Sequence, residues 1–176
     1  MPSRASLLHA FDRMETERIA LIAQLDRVPE KRLTAAPKAG AWTVAQVITH
    51  IAIAEEGSLA YFTKKHSGGR HKPVGTSAPF RLAILNLAIS LPLKYKAPAV
   101  VADVPATSYG EAKARWAVVR EKLRQVYETL PEAHIGHDLF KHPSLGRFNV
   151  LQGVRFTRRH VLRHRGQILR TLRTLG

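Results

Sequence analysis

The sequence of 176 residues contains no cysteine. The absence of thiols excludes a disulfide framework, a thiolate metal site, a cysteine nucleophile and an iron–sulfur cluster. The most apolar stretch, residues 82–93, is interrupted by Pro92 and is shorter than the ~20 residues that a membrane-spanning helix needs. Residues 1–28 carry charges throughout and lack the apolar centre of a signal peptide. These absences predict a soluble, cytoplasmic protein.

Acidic residues are scarce. The chain has 13 Asp and Glu against 28 Lys and Arg, a formal net charge of +15. No acid lies between Glu56 and Asp103, and none follows Asp138. A positive field of this kind attracts phosphates, anionic lipids or acidic substrates. The basic residues lack the interleaved aromatic residues of a nucleic-acid-binding motif, so nucleic-acid binding is an alternative rather than the first hypothesis.

Four segments show the three-to-four-residue apolar spacing of amphipathic helices, whereas alternating strand patterns are almost absent. They are residues 3–28, 43–65, 108–131 and 149–172. Thr43 with Gln46 and Ser108 with Glu111 have capping-box spacing, which marks the starts of the second and third helices.

Between the second and third helices lies a proline-punctuated segment, residues 73–106. A structureless connection of this length would be unusual, so we expect a short helix over residues 80–90 and extended chain after Pro92. Four long helices with one long crossover predict an all-α fold, a four-helix bundle in a single domain over residues 1–176.

Three of the nine histidines share a distinctive placement. His160 and His164 are four residues apart on the fourth helix, a spacing that stacks two side chains on one helix face. They lie on the shoulder of the apolar stripe through Val161, and His50 lies in the same position beside Ile51 on the second helix. If these helices touch, three neutral imidazoles converge on one metal and leave coordination positions open, as in catalytic metal sites. The other histidines are interpreted as surface or loop residues: His9, His66, His71, His134, His137 and His142.

Other catalytic signatures are missing, including a nucleophile elbow, a phosphate-binding loop and the HExxH motif of metalloproteases. Glu55 lies within the apolar arc of the second helix and therefore needs a partner, for which Arg158 and Arg165 of the fourth helix are candidates. Gln167, one turn after His164, is either a hydrogen-bond partner behind that ligand or an ordinary surface residue.

The run WTVAQVITHI, residues 42–51, resembles the second-helix signature of the DinB-like, DNA-damage-inducible family of metalloenzymes. The run HPSLG, residues 142–146, and the run HVLRHRGQI, residues 160–168, resemble family members in the same order. The resemblance implies a four-helix bundle with a divalent metal, commonly nickel or zinc, held by His50, His160 and His164. Known members include transferases and isomerases that use low-molecular-weight thiols, and homodimers are frequent.

Two hypotheses follow. In the first, the protein is a metal-dependent transferase or hydrolase for a small, anionic or thiol substrate, with Arg158 or Arg163 as attracting cations. In the second, it is a non-catalytic basic bundle that binds nucleic acid or an anionic surface through an arginine face on the fourth helix. That face comprises Arg155, Arg159, Arg163, Arg170 and Arg173.

Overall fold

The computed structural model describes residues 2–90 and 104–176, and within them it contains six α-helices and one β-hairpin. The helices are α1 (Arg4–Leu25), α2 (Glu30–Leu33), α3 (Val44–Ser67), α4 (Ala78–Ser90), α5 (Tyr109–Thr129) and α6 (Val150–Thr174). A single 3-10 turn (Glu132–His134) and the strands β1 (Phe140–His142) and β2 (Gly146–Phe148) lie between α5 and α6.

The four long helices form a bundle in which α5 packs between α1 and α3, and α6 packs against the other sides of α1 and α3. Their apolar faces meet in one core, which includes Phe11, Ile51, Trp116, Val154 and Ile168. The predicted all-α four-helix bundle is therefore confirmed. None of the helices in the described residues is long and apolar enough to span a membrane.

Capping residues fix where the long helices begin. The Thr43 hydroxyl accepts from the Gln46 backbone at 3.1 Å, and the Gln46 amide oxygen accepts from the Thr43 backbone at 3.0 Å. Both predicted capping boxes form, and Asn149 with Gln152 forms a third at the start of α6. These bonds join residues three apart, so local sequence is sufficient to place the starts. The predicted extension of the first helix to residue 28 is wrong, because α1 ends at Leu25.

The small hairpin is an element that the sequence patterns did not indicate. Phe140 pairs with Phe148 and His142 with Gly146 in an antiparallel register. Strands of three residues are too short for alternation to emerge from the sequence. Gly146 has a φ of +81°, which favours glycine at the turn.

The crossover helix predicted over residues 80–90 is present as α4, which begins two residues earlier. It packs against α6 and is tied to the hairpin, because Arg81 donates to the backbone oxygens of Leu145 (2.6 Å) and Arg147 (3.1 Å). Extended chain was also predicted after Pro92, but the chain up to residue 103 lies outside the described residues.

Glu55 has an arginine partner, but the two candidates from the fourth helix are both wrong. The partner is Arg120 of α5, whose Nε and Nη2 donate to the Glu55 carboxylate at 2.5 and 2.8 Å. Arg158 instead pairs with Glu17 of α1 through Nε at 3.0 Å. Helical periodicity identified Glu55 as buried, but the choice of partner depends on which helix packs over it.

Candidate metal centre

The structure brings the three predicted histidines together on the facing surfaces of α3 and α6. His50 is buried, with 4% of its surface exposed, whereas His160 and His164 are partly buried. The ring centroids of His50 lie 5.4 Å from His160 and 4.7 Å from His164. The helix contact on which the sequence argument depended is thus present, and we call this trio the bundle site.

The ring nitrogens in the bundle site lie close enough together to hold one ion. One nitrogen from each ring lies within 4.8 Å of the other two, and the Nε2 atoms of His160 and His164 are 3.1 Å apart. Two imidazole nitrogens at about 2.0–2.1 Å from one metal are about 3.0 Å apart at a right angle and about 3.3 Å apart in a tetrahedron. The observed separation lies between these values, so the donor set fits a divalent transition metal.

Gln167 lies behind His164, with its Oε1 atom 2.9 Å from the histidine Nδ1. An amide oxygen can only accept, so this contact places the proton on Nδ1 and leaves the lone pair on Nε2. Of the two interpretations of Gln167, the geometry favours the hydrogen-bond partner. Partners of this kind orient metal-binding imidazoles and fix their tautomer.

Both α6 histidines are held in the neutral form that a ligand requires. Burial, followed by the neighbouring His164 and His50 rings, holds the pKa of His160 well below its ordinary value of 6.5. Burial, followed by His50, lowers the pKa of His164 to about 4. Near neutral pH these rings therefore carry lone pairs rather than positive charges.

Aromatic rings enclose the bundle site. The Trp42 ring lies 4.9 Å from His50, and Phe156 stacks beside His160 at 6.2 Å. The contact of Trp42 with His50 is not visible in the spacing of residues along the chain. These rings exclude water from one side of His50 and of His160, which is consistent with the lowered pKa of His160.

The HPSLG run has a structural role beside the site. His142 Nδ1 faces the backbone nitrogens of Ser144 and Leu145 at 3.3 and 3.4 Å, so the ring accepts from the turn that it begins. Its ring also contacts Phe156 edge-on at 5.0 Å. His142 therefore holds the hairpin turn against the wall of the bundle site.

The two arginines considered as attracting cations differ in their surroundings. Arg158 is paired with Glu17, which offsets its charge. Arg163 donates to the backbone oxygen of Ile89 at 2.8 Å, and its charge contributes to lowering the pKa values of His160 and His164. Of the two, Arg163 is the cation whose charge reaches the site. In the predicted arginine face, Arg163 is partly buried and the other four members are exposed.

The chain matches the family model of the DinB superfamily over residues 4–168. The chain belongs to the DinB superfamily. No curated protein and no solved structure matches it. The resemblance, first seen in three short runs of sequence, thus extends over nearly the whole chain. The histidine trio of the chain is compatible with a divalent metal.

Four of the other histidines, which the sequence placed at the surface or in loops, lie together rather than apart. His66, His71, His134 and His137 are partly buried and lie together at the end of α3. They come from separate segments of the chain, so the spacing of residues in the sequence relates only His134 and His137, which are three residues apart. His9 is exposed on α1, as predicted.

Proposed function

We propose that this DinB-superfamily protein is a divalent-metal-dependent enzyme, a transferase or hydrolase, with nickel or zinc held by His50, His160 and His164. The observation that carries the proposal is the convergence of three imidazoles from α3 and α6, with the Nε2 atoms of the two α6 histidines 3.1 Å apart. Three protein ligands leave coordination positions for water or substrate, which is the arrangement of catalytic rather than structural sites.

A bound divalent ion supplies Lewis acidity, which makes a water or a thiol acidic enough to act as a nucleophile near neutral pH. The chain's own residues prepare the site for that chemistry. Gln167 fixes the tautomer of His164, and Trp42 and Phe156 keep water from one side of the rings. Because burial keeps the His160 and His164 imidazoles neutral, binding an ion does not have to displace protons from these two rings near pH 7.

The substrate that we propose is small and anionic, such as a thiol that bears a carboxylate. Arg163 supports this choice, because its charge acts on the two α6 histidines and Ile89 fixes one side of its guanidinium. The strongly positive net charge would raise the local concentration of such a substrate. By resemblance we also expect a homodimer, which light scattering on the purified protein tests directly. The cytoplasmic location expected from the sequence stays a prediction.

The metal content of tag-free protein tests the bundle site. The parent is compared with the His50→Ala, His160→Ala and His164→Ala variants by plasma mass spectrometry after incubation with nickel or zinc. We expect each substitution to lower the bound metal by one equivalent per chain, because two imidazoles hold an ion less tightly than three. His9→Ala is the matched control and should retain the parental content, since His9 is exposed on α1.

Unchanged metal content in all three variants, with helical circular dichroism intact, would refute the metal site. The alternative of a basic binding module would then be measured with duplex DNA and anionic vesicles. Such binding must weaken steeply with salt if the exposed arginines of α6 carry it.

A further inference from the structure

Four histidines meet at the carboxyl end of α3, at the opposite end of that helix from His50. His66 lies in the last turn of α3, and His71 follows in the next loop. His134 ends the 3-10 turn, and His137 lies just before β1. Their neighbouring ring centroids are 4.4–5.6 Å apart, and we call these four residues the α3-end cluster.

Three members of the α3-end cluster lie close enough together to hold a metal ion. One ring nitrogen from each of His66, His71 and His134 lies within 4.8 Å of the other two. His66 Nε2 is 3.4 Å from His134 Nδ1, close to the roughly 3.3 Å between two nitrogens bound to a tetrahedral zinc ion. All three rings are partly exposed, so an ion can reach them from solvent.

The fourth member has a different position. His137 Nδ1 lies 2.7 Å from His71 Nδ1, a hydrogen bond in which one ring donates and the other accepts. When His71 is the donor, its Nδ1 carries the proton and the lone pair on its Nε2 is left for an ion. His137 is therefore a positioning residue that orients His71.

Backbone and ionic contacts hold the two chain segments of the cluster together. Val74 donates to the Gly136 carbonyl at 3.1 Å, and Asp138 donates to the Lys72 carbonyl at 2.9 Å. The Asp138 carboxylate accepts from the Lys72 backbone at 3.0 Å and from Lys65 Nζ at 2.6 Å. The two segments that carry the histidines are thus hydrogen-bonded to each other and are not independent surface loops.

The α3-end cluster is separate from the bundle site. His50 and His66 are sixteen residues apart on one continuous helix, which places them about 24 Å apart at about 1.5 Å per residue. A single ion cannot bridge that distance. Any ion bound by the cluster is therefore additional to one in the bundle site.

We propose that His66, His71 and His134 form a second metal site, which takes a divalent transition metal of the zinc, nickel and copper class. Imidazole nitrogen suits these ions, whereas calcium and magnesium require oxygen ligands. The nearby Asp138 carboxylate is engaged by Lys65 and Lys72 and is not in the trio. An ion here links the end of α3 to the segment between α5 and β1.

Zinc counting tests the second site in a background in which the bundle site is disabled. Tag-free, metal-stripped His160→Ala protein is dialysed against zinc(II), and bound zinc is measured by plasma mass spectrometry. We expect adding His134→Ala to remove one equivalent per chain, whereas adding the exposed control His9→Ala removes none. The measured quantity is the difference in bound zinc between these two double variants. The test is therefore valid whether or not His160→Ala empties the bundle site.

Two further variants keep the test independent of misfolding. Adding His66→Ala should remove the same equivalent, and adding His137→Ala should weaken zinc binding about 10- to 100-fold while saturation is still reached. Zinc should raise the thermal midpoint of His160→Ala by more than that of His160→Ala/His134→Ala. Equal zinc content and equal thermal response in these two proteins, with helical circular dichroism preserved in both, would overturn the proposal.

Discussion

At the scale of single residues, the bundle site depends on side chains that set the protonation and orientation of its imidazoles. His164 makes two polar contacts through its ring, to Gln167 at Nδ1 and to His160 at Nε2. The first contact determines which nitrogen carries the proton. In the proposed metal site, residues behind the histidines are expected to contribute to metal affinity without contacting the ion.

Gln167→Ala should weaken metal binding at the bundle site about 10- to 100-fold, the usual effect of losing a partner behind a ligand. The reason is that His164 loses the acceptor that fixes its tautomer. Competition with a chelator of known affinity measures the change. Gln24→Ala, at an exposed position of α1, is the matched control, and equal affinities in the two variants would argue against an orienting role.

At the scale of elements, the hairpin and α6 approach each other closely. A Cβ atom added at Gly153 would lie 2.5 Å from ring atoms of Phe140, closer than atoms can pack. The absence of a side chain at Gly153 is what allows β1 to lie against the first turns of α6. The β-hairpin, which the sequence patterns did not indicate, thus has room beside α6 because residue 153 is a glycine.

Gly153→Ala should lower the free energy of unfolding by about 1–3 kcal/mol, as overpacking of a core does. Gly166→Ala is the control on the same helix, because its new methyl group would meet only the tip of the Arg170 side chain at 3.4 Å. Helix propensity favours alanine over glycine by about 1 kcal/mol, so Gly166→Ala should be neutral or stabilising. Urea unfolding curves compare the two, and an equal loss in both would contradict the packing argument.

At the scale of the whole molecule, a buried ionic network connects three helices of the bundle. Arg120 of α5 bonds Glu55 of α3 in two places and reaches Glu15 of α1 at 3.2 Å. Although burial alone would raise the pKa of Glu15, the Arg18 and Arg120 guanidiniums outweigh it and hold that pKa below its ordinary value. The network thus fixes which faces of α1, α3 and α5 meet.

Arg120→Met should destabilise the fold by about 3–5 kcal/mol, because Glu55 is left buried without its partner. The double variant Arg120→Met/Glu55→Leu should recover much of that loss, since it removes the unpaired charge as well. Arg115→Met, which breaks the exposed pair with Glu56 between the same two helices, should cost less than about 1 kcal/mol. Thermal unfolding distinguishes these outcomes, and similar losses for Arg120→Met and Arg115→Met would refute the network's importance.

The sequence by itself determined the features that depend on neighbours along the chain. Capping residues three apart marked the starts of α3 and α5, and the i, i+4 spacing placed His160 and His164 on one face. Helical periodicity also placed His50 and Glu55 toward the bundle interior. In each case the deciding contacts are made within one or two turns of a helix, so the pattern is sufficient.

Only the tertiary structure decided which of these faces meet. It brought His50 to the α6 pair, gave Glu55 its partner on α5 rather than α6, and gathered the α3-end cluster from separate segments. Periodicity specifies the direction of a side chain from its own helix axis but not the neighbour that lies in that direction. That neighbour is set by the packing of the whole core, which joins residues as far apart in sequence as His50 and His164.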